Sequence, residues 1–341
     1  MEFGERALAN QELTHRERME ACLSGDQPDQ VPVSLWRHFP VDDQTPEGLA
    51  AATAAFQHHY DFDFIKVTPS SSFCLKDWGS DDRWTGHNHG TREYTKDVIN
   101  RPDDWYSLPI LDPRKGHLGD QLNCLRILTT EFSPQTPLVQ TIFSPLAQAK
   151  NLIGKERLQV HIRKYPEAVL AGLERITETT LRFLEEASRT GIDGIFYAIQ
   201  HAQYGLLSTT EFEAFSKPYD LKILAAASGL WLNIAHLHGE NVMFDEILDY
   251  PVQVLNWHDR QTPPDLMTAK SKYKGILCGG LRQWETMVLG TSDQVRSEAI
   301  DAIKATGGRR FILGTGCVLP IIAPHGNILA ARHVVSNNLK P

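Results

Sequence analysis

Short apolar runs alternate with helical stripes along most of this chain. Val31-Pro-Val-Ser-Leu-Trp36 alternates in the manner of a half-buried strand. Asp63–Thr68, Pro137–Phe143, Ile192–Ile199, Trp231–Ala235, Val252–Asn256, Gly275–Cys278 and Arg310–Leu313 give seven further strand predictions. Helical signals fall between them. Thr14-x-x-Glu17 is a capping box, in which hydroxyl and carboxylate satisfy helix-end amides reciprocally, and Gly25 stops the helix it opens. Thr45 caps an alanine-rich helix with Pro46 in its first turn, running to about Tyr60. Residues 144–154 form a short helix or turn. A long helical stretch follows from His161, broken near Tyr165-Pro166. Leu170, Leu173, Ile176, Leu181 and Leu184 carry its apolar stripe to Gly191. Further helices are expected from Ser208/Thr209 to about Ser228, Glu240 to Leu248, Pro264 to Lys272, Thr291 to Thr306, and His325 towards Val335.

Strands alternating with helices imply parallel pairing through helical crossovers. Eight such units in roughly 310 residues predict an α/β fold of the TIM-barrel class, (β/α)8. An open doubly wound sheet competes, but no G-x-G-x-x-G follows the first strand. From Pro69 to about Thr136 the pattern weakens into Ser, Gly, Asp and His clusters with Pro102, Pro109 and Pro113. This reads as a long insertion after strand 2, residues 69–136, holding one helix near Asp120–Thr130 and serving as a lid. The expected organisation is one domain, 1–341.

Composition narrows the function classes. Of 341 residues, 41% are hydrophobic and 22% charged, as in ordinary soluble domains with ample core. A net charge of −8 without a basic run argues against nucleic acid. No apolar run approaches the ~18 residues of a membrane span. The polar N-terminus argues against a secretory signal, so a cytoplasmic location is expected. Five scattered cysteines without a CxxC do not make a disulfide framework. Cys22, Cys124 and Cys278 read as buried.

Active sites of such barrels lie at the C-terminal ends of the strands. Those ends supply Arg37 and His38, Lys66, Gln200 and His201, His236 and His238, Asn256, His258 and Asp259, Gly279 and Gly280, then Cys317. His236 and His238, two apart on a strand, point the same way. With Cys317 they make a candidate zinc site, since Zn2+ accepts imidazole nitrogen and thiolate sulfur and leaves a fourth position open in catalytic sites. The plainer reading is a hydrogen-bonded barrel histidine and a small buried thiol. Arg37 suits a carboxylate or phosphate, or an ordinary salt bridge. Asp259 could orient His258, or cap a loop. His201 reads as an acid/base group or a satisfied core histidine. Gly279-Gly280 and Gly314-x-Gly316 allow close backbone approach to a ligand. Cys74 and Asp77 read as lid or solvated loop, and His58-His59 as surface.

Two stretches bring in a family. R-E-R-M-E-A-C-L-S-G-D-Q-P-D-Q-V-P-V (Arg16–Val33) and G-T-G-C-V-L-P-I-I-A-P-H-G-N-I (Gly314–Ile328) resemble the opening and closing of the uroporphyrinogen decarboxylase superfamily, whose fold is a (β/α)8 barrel. The likeness extends over nearly the whole chain. One branch decarboxylates a tetrapyrrole without cofactor. It implies an arginine pair spaced by four, F-S-D and G-H-G, where this chain has Arg37 with Val41, Pro69-Ser-Ser-Ser-Phe-Cys74, and Thr315 at the His position. The other branch holds zinc-dependent methyltransferases with H-x-C-G and a later G-C. Here His236, Gly239 and Cys317 match, and His238 replaces the middle Cys. Exchanging that thiolate for imidazole makes the metal more positive, a weaker partner for thiol alkylation and a stronger activator of water.

The resemblance therefore implies Zn2+ on His236, His238 and Cys317, and the strand-end positions add His258, Asp259 and His201 as catalytic candidates. Arg37, His38, Lys66, Gln200, Asn256, Gly279 and Gly280, at the same strand ends, are expected to bind substrate. The implied reaction moves a methyl group between a corrinoid, or a related one-carbon donor, and a thiol or other small acceptor. A corrinoid protein is a candidate partner, and a homodimer is implied. Two alternatives stand beside it: cofactor-free decarboxylation of a porphyrinogen or polycarboxylate, and a non-catalytic tetrapyrrole or corrinoid binder.

Overall fold

The structure, a computed structural model, describes residues 12–337. Helix α1 (His15–Ser24) opens on the expected capping box, with Thr14 and Glu17 exchanging hydrogen bonds, and closes on Gly25 at φ 84°. An extended segment over residues 31–36 leads to α2 (Pro46–Tyr60), capped by the Thr45 side chain. Strand β1 (Ile65–Val67) follows. Next come the hairpin β2 (Asp81–Arg83) and β3 (Glu93–Lys96), then α3 (Asp104–Ser107) and α4 (Gly116–Phe132). From there strands and helices alternate: β4 (Leu138–Phe143), α5 (Pro145–Ile153), α6 (Lys155–Lys164), α7 (Pro166–Ser188), β5 (Gly194–Ile199), α8 (Thr209–Phe215) and α9 (Lys217–Ala226). The chain continues through β6 (Ile234–Leu237), β7 (Val254–Trp257), α10 (Leu266–Lys272), β8 (Ile276–Leu281), α11 (Ser292–Thr306), β9 (Phe311–Thr315) and α12 (His325–Val334).

Seven strands form one parallel sheet in the order β1-β4-β5-β6-β7-β8-β9. The extended segment lies between its two edges. Val33 bridges Leu313 on β9, and its carbonyl accepts from the Asp63 amide just before β1. The expected first strand is thus reduced to a bridge. Pro32 offers only a carbonyl, to the Leu313 amide, and has no N–H to extend the ladder. The result is a curled, TIM-barrel-like α/β fold.

Two cores divide along the alternation of each strand. Trp36, Phe64, Val139, Phe196, Ile234, Val254, Ile276 and Ile312 fill the space inside the sheet, and Met19 and Cys22 of α1 join them. Helix α1 therefore packs into the barrel interior from below. The opposite end is left for the site. The larger core lies between sheet and helices.

The irregular parts correct the expected outline. One helix was expected between strands 2 and 3; a hairpin and two helices stand there. The Glu240–Leu248 helix is only a turn at Asp245–Ile247. The Ser208–Ser228 helix breaks at Ser216, because Pro218 cannot continue the ladder of α8. Strand β6 starts three residues later than expected. The Asn233 side chain just before it is spent on Ile195 N, Ala227 O and Leu230 O. Strand β8 runs on through Gly279 and Gly280. All five cysteines are free. Among the described residues no helix is long and apolar enough to cross a membrane.

Below the barrel, the buried Asp63 carboxylate gathers the Val33 amide (2.7 Å), Arg18 Nη1 (2.6 Å) and His15 Nδ1 (3.0 Å). Burial opposes charge on His15, but hydrogen bonds to Asp61 and Asp63 prevail and raise it from 6.5 to about 9. A raised folded value means that protonated His15 stabilises fully below pH 6.5 and loses this contribution as pH rises through about 9. Thermal unfolding across that window should show a fall that His15→Gln abolishes.

Candidate metal centre

Parallel register places His236 opposite Ala198 on β5 and Asn256 on β7. His238 and His258 are the first residues past β6 and β7. Cys317 lies two residues past β9, which is separated from β6 by two strands, and must cross the barrel mouth. Gly316 allows this. A Cβ there would stand 2.7 Å from His258 Cα and 2.8 Å from the Trp257 carbonyl, so only glycine lets the β9 loop pass against the β7 loop. The ligating atoms of His236, His238, His258 and Cys317 consequently all lie within 4.8 Å of one another. Cys317 Sγ is 3.5 Å from His238 Nδ1.

The surroundings set the proton positions. Asn256 Nδ2 donates to the carbonyls of Cys278 (2.9 Å) and Thr315 (3.1 Å). Its oxygen must therefore face His236 Nδ1, 2.7 Å away. That nitrogen carries the proton, and Nε2 presents a lone pair. His258 repeats the device with Gln261 Oε1 at 3.0 Å from Nδ1. Both Nε2 atoms are buried without a hydrogen-bond partner. A buried acceptor left unpaired, with its other nitrogen held by an amide, is the arrangement of an imidazole readied for a metal. Burial, then repulsion from neighbouring imidazoles, lowers His236 far below the ordinary value and His238 to about 3; burial also lowers His258. All three are neutral, as ligands must be. Burial pushes the Cys317 thiol up to about 11, against the pull of Lys66. A divalent cation at the cluster would reverse that and favour the thiolate. The donor set of three imidazoles and one thiol thus fits Zn2+. Asn256→Ala should release the His236 ring and weaken zinc binding by roughly 10–100-fold, as read by competition with a chromophoric chelator.

Two cavities meet at the cluster. One, of about 300 Å3, touches His236, His238 and Cys317, and its wall carries Lys66, Arg92 and Lys150. The other, of about 330 Å3, reaches His238, His258 and Cys317 beside His87, His89 and Trp284. A larger depression of about 630 Å3 lies outside the barrel near α10 and contains none of the four. Its two cations are already matched, Lys272 with Asp245 and Arg260 with Asp301, both at 2.8 Å.

The residues expected at the site separate into two groups. His38, Lys66 and Gln200 line the first cavity. Burial lowers Lys66 to about 7; its ammonium sits 4.5 Å from the Phe196 ring centre and donates to Thr68 Oγ1 (3.1 Å). Gln200 accepts from Lys150 Nζ at 2.9 Å. His258 stands with the ligands, and Asn256 behind His236. Arg37, His201, Asp259, Gly279 and Gly280 line neither cavity. Arg37 lies between Phe39 and Phe56, with Nη1 donating to the Ile321 carbonyl at 3.2 Å. His201 is buried, and burial lowers it to about 3. Asp259 turns outward to the Gly280 amide (3.1 Å) and is pushed up to about 7 by burial. Gly279 makes room for it, since a Cβ there would meet Asp259 Oδ1 at 2.4 Å. Asp77 caps α4 through the His117 and Leu118 amides.

Arg92, Tyr94, Lys150, His87, His89 and Trp284 had escaped notice. Most sit in segments without periodicity, and only the His87-x-His89 spacing could have drawn attention.

Comparison with known proteins agrees with this architecture. The family model described as Uroporphyrinogen decarboxylase (URO-D) matches residues 14–337. The chain is 21% identical over 235 residues to Methylcobamide:CoM methyltransferase MtbA of Methanosarcina acetivorans, covering 68% of each chain. It is 22% identical over 216 residues to MtbA of Methanosarcina mazei, covering 62% of each. A solved methyltransferase from Methanosarcina mazei superposes with a TM-score of 0.80 at 19% identity, over 94% of this chain and 98% of that one. A B12-independent methionine synthase from Shewanella sp. W3-18-1 gives 0.60 at 12% identity, over 90% and 97%.

Proposed function

The chain belongs to the uroporphyrinogen decarboxylase (URO-D) family, and from that premise we propose that it is a zinc-dependent methyltransferase. It would move a methyl group between a corrinoid, or a related one-carbon donor, and a thiol or other small acceptor. His236, His238 and Cys317 would hold the metal and leave its fourth position to the acceptor, with His258 beside them. Zn2+ bound there supplies a Lewis acid that keeps an acceptor thiol in its nucleophilic thiolate form. Asn256 and Gln261 hold the two imidazole tautomers that such binding needs. The observation that carries the proposal is the pair of buried, unpartnered Nε2 atoms facing a thiol. The relatives named as methylcobamide methyltransferases support the reaction class.

The same reading takes the chain as one (β/α)8 domain, 1–341, in which residues 69–136 are an insertion whose hairpin roofs the site. Thr91, Arg92 and Tyr94 line the first cavity, and His87 and His89 the second. A corrinoid protein is the expected donor partner.

Elemental analysis of the purified protein tests the proposal. About one zinc per chain is expected, together with chelator-sensitive demethylation of methylcobalamin by a small thiol. No bound zinc after reconstitution would end it.

A further inference from the structure

We propose that the β2–β3 hairpin is a hinged lid, latched at its tip by the contact between His89 and Trp284, and that it swings away to admit a ligand wider than either cavity to the His236–His238–Cys317 cluster. This deepens the methyltransferase reading and rests on it only for naming that wide ligand the methyl-bearing macrocycle. The two strands form a sheet of their own, separate from the barrel sheet. They reach over the mouth all the same. Arg92 and Tyr94 line the first cavity, His87 and His89 the second, and Thr91 both. Cys317 lies where the two cavities meet. At about 300 and 330 Å3, each has room for a small molecule at the lower end of ligand pockets. A macrocycle therefore cannot reach the thiol while the hairpin stays down.

Few contacts keep the tip in place. The Trp284 indole N–H donates to His89 Nε2 at 2.9 Å, and the two rings meet edge to face with centres 5.0 Å apart. The Ile321 amide donates to the Asn88 carbonyl at 2.8 Å. Gly90 seats the tip on the barrel, since a Cβ there would stand 2.6 Å from His38 Cβ. Trp284 is the fixed half of the latch, because Asn327 Nδ2 holds the carbonyls of Met287 (3.2 Å) and Gly290 (2.8 Å) in the same loop. The hairpin is the moving half. One leg starts at Gly79, where φ is 96° and a side chain would meet nothing closer than Lys96 Nζ at 3.8 Å. Glycine there serves the backbone and not the packing, as at a hinge. The other leg ends at Val98, whose amide is fixed to the Leu152 carbonyl at 2.8 Å. Tyr94, near that end, bonds Ser71 Oγ at 2.8 Å. The charges at the base reach across less firmly, Arg92 to Asp43 and Lys76 to Asp82, both at 3.6 Å. Arg92 Nη1, Asp43 Oδ2 and Ser80 Oγ are buried without a hydrogen-bond partner. Buried polar atoms left unpaired raise the closed state, and opening would give them water, so the gap between closed and open is narrowed.

The test labels Cys317 in chelator-treated full-length protein with two maleimides, the narrow N-ethylmaleimide and the wide, rigid N-(1-pyrenyl)maleimide. Each rate is divided by the same reagent's rate with glutathione, and the ratio of wide to narrow cancels any change in the thiol itself. Wild type should give a ratio well below one. Trp284→Phe keeps a ring but removes the indole donor, and should raise the ratio about fivefold, the net worth of one hydrogen bond. His89→Leu removes the acceptor instead and should do likewise. Hydrogen–deuterium exchange at the Ile321 amide, which the tip covers, should quicken by a similar factor in both variants. Cys22, Cys124 and Cys278, each 1% exposed or less, should stay unlabelled throughout, which separates a moving hairpin from a loosened fold. A wild-type ratio near one, or well-folded variants with the wild-type ratio, would overturn the lid. So would a raised ratio with Ile321 as protected as before, the mark of a cavity widened without motion. Because no step uses zinc, the two readings can fail separately. A latched hairpin on a protein that takes up no zinc would leave the lid standing and remove the methyltransferase. Zinc-dependent methyl transfer by a wild type whose ratio is near one would do the reverse.

Discussion

Cys317→Ser is expected to strip zinc from the protein and abolish methyl transfer. The hydroxyl of serine does not ionise near neutrality and is a poor zinc ligand, so the site loses its single anionic donor. Losing an outer partner of a metal site costs about 10–100-fold, and losing a direct thiolate ligand should exceed that range. Cys317 packs beside His238 on a loop, so the fold should survive, and an unfolding midpoint equal to that of chelator-treated wild type is part of the expected result. His236→Ala should match it in metal loss. Retention of about one zinc per chain and wild-type turnover in Cys317→Ser would refute the ligand assignment. A variant that keeps metal but loses turnover would move Cys317 from metal ligand to substrate contact.

The second large effect is structural. Asp63→Ala should destabilise the protein by about 3 kcal/mol, the lower end for breaking a buried ion pair, because Asp29 still serves Arg18. Asp63 is fully buried, and removing it takes from the Arg18 guanidinium, itself 3% exposed, its 2.6 Å partner and leaves the partly exposed Asp29 to balance it. It also frees the Val33 amide, at the place where the extended segment joins β1 to β9. The neighbouring Asp61, 63% exposed, makes a control. It pairs with His15 and Arg332 at 2.9 and 2.8 Å, its own carboxylate open to solvent above two largely covered partners. Asp61→Ala should therefore cost about 1 kcal/mol or less. Urea midpoints at constant slope would report both. Similar shifts for the two variants would mean that the Asp63 cluster does not close the barrel.

Much of the scaffold could be read from single stretches. The Thr14–Glu17 box, the Thr45-Pro46 start and the stripe ending at Gly191 involve residues within a turn or two of each other, and a stretch of chain carries that information itself. The buried runs at β4, β5, β7 and β9 were equally plain, since parallel strands covered on both faces read as continuous apolar segments. The region after β1 was not legible. Its hairpin is mostly exposed and polar, and it is held by the Arg92–Asp82–Asp43 network, whose members come from separate segments.

The candidate site divides in the same way. Residue type and strand-end position were enough to single out His236, His238 and Cys317. Nothing local could show that His258 joins them, that Gly316 lets Cys317 cross two intervening strands, or that Arg37 turns to the Ile321 carbonyl. The sequence alone determined the alternation of elements, several helix ends and the residue types available at the barrel mouth, because backbone geometry repeats over two to four residues and the pattern of apolar positions records that repeat. Only the tertiary structure decided which of those side chains converge. Convergence depends on the paths of loops fixed by contacts between residues far apart in the chain, and on burial, which makes a thiol, three imidazoles and two lysines unlike the same groups in water.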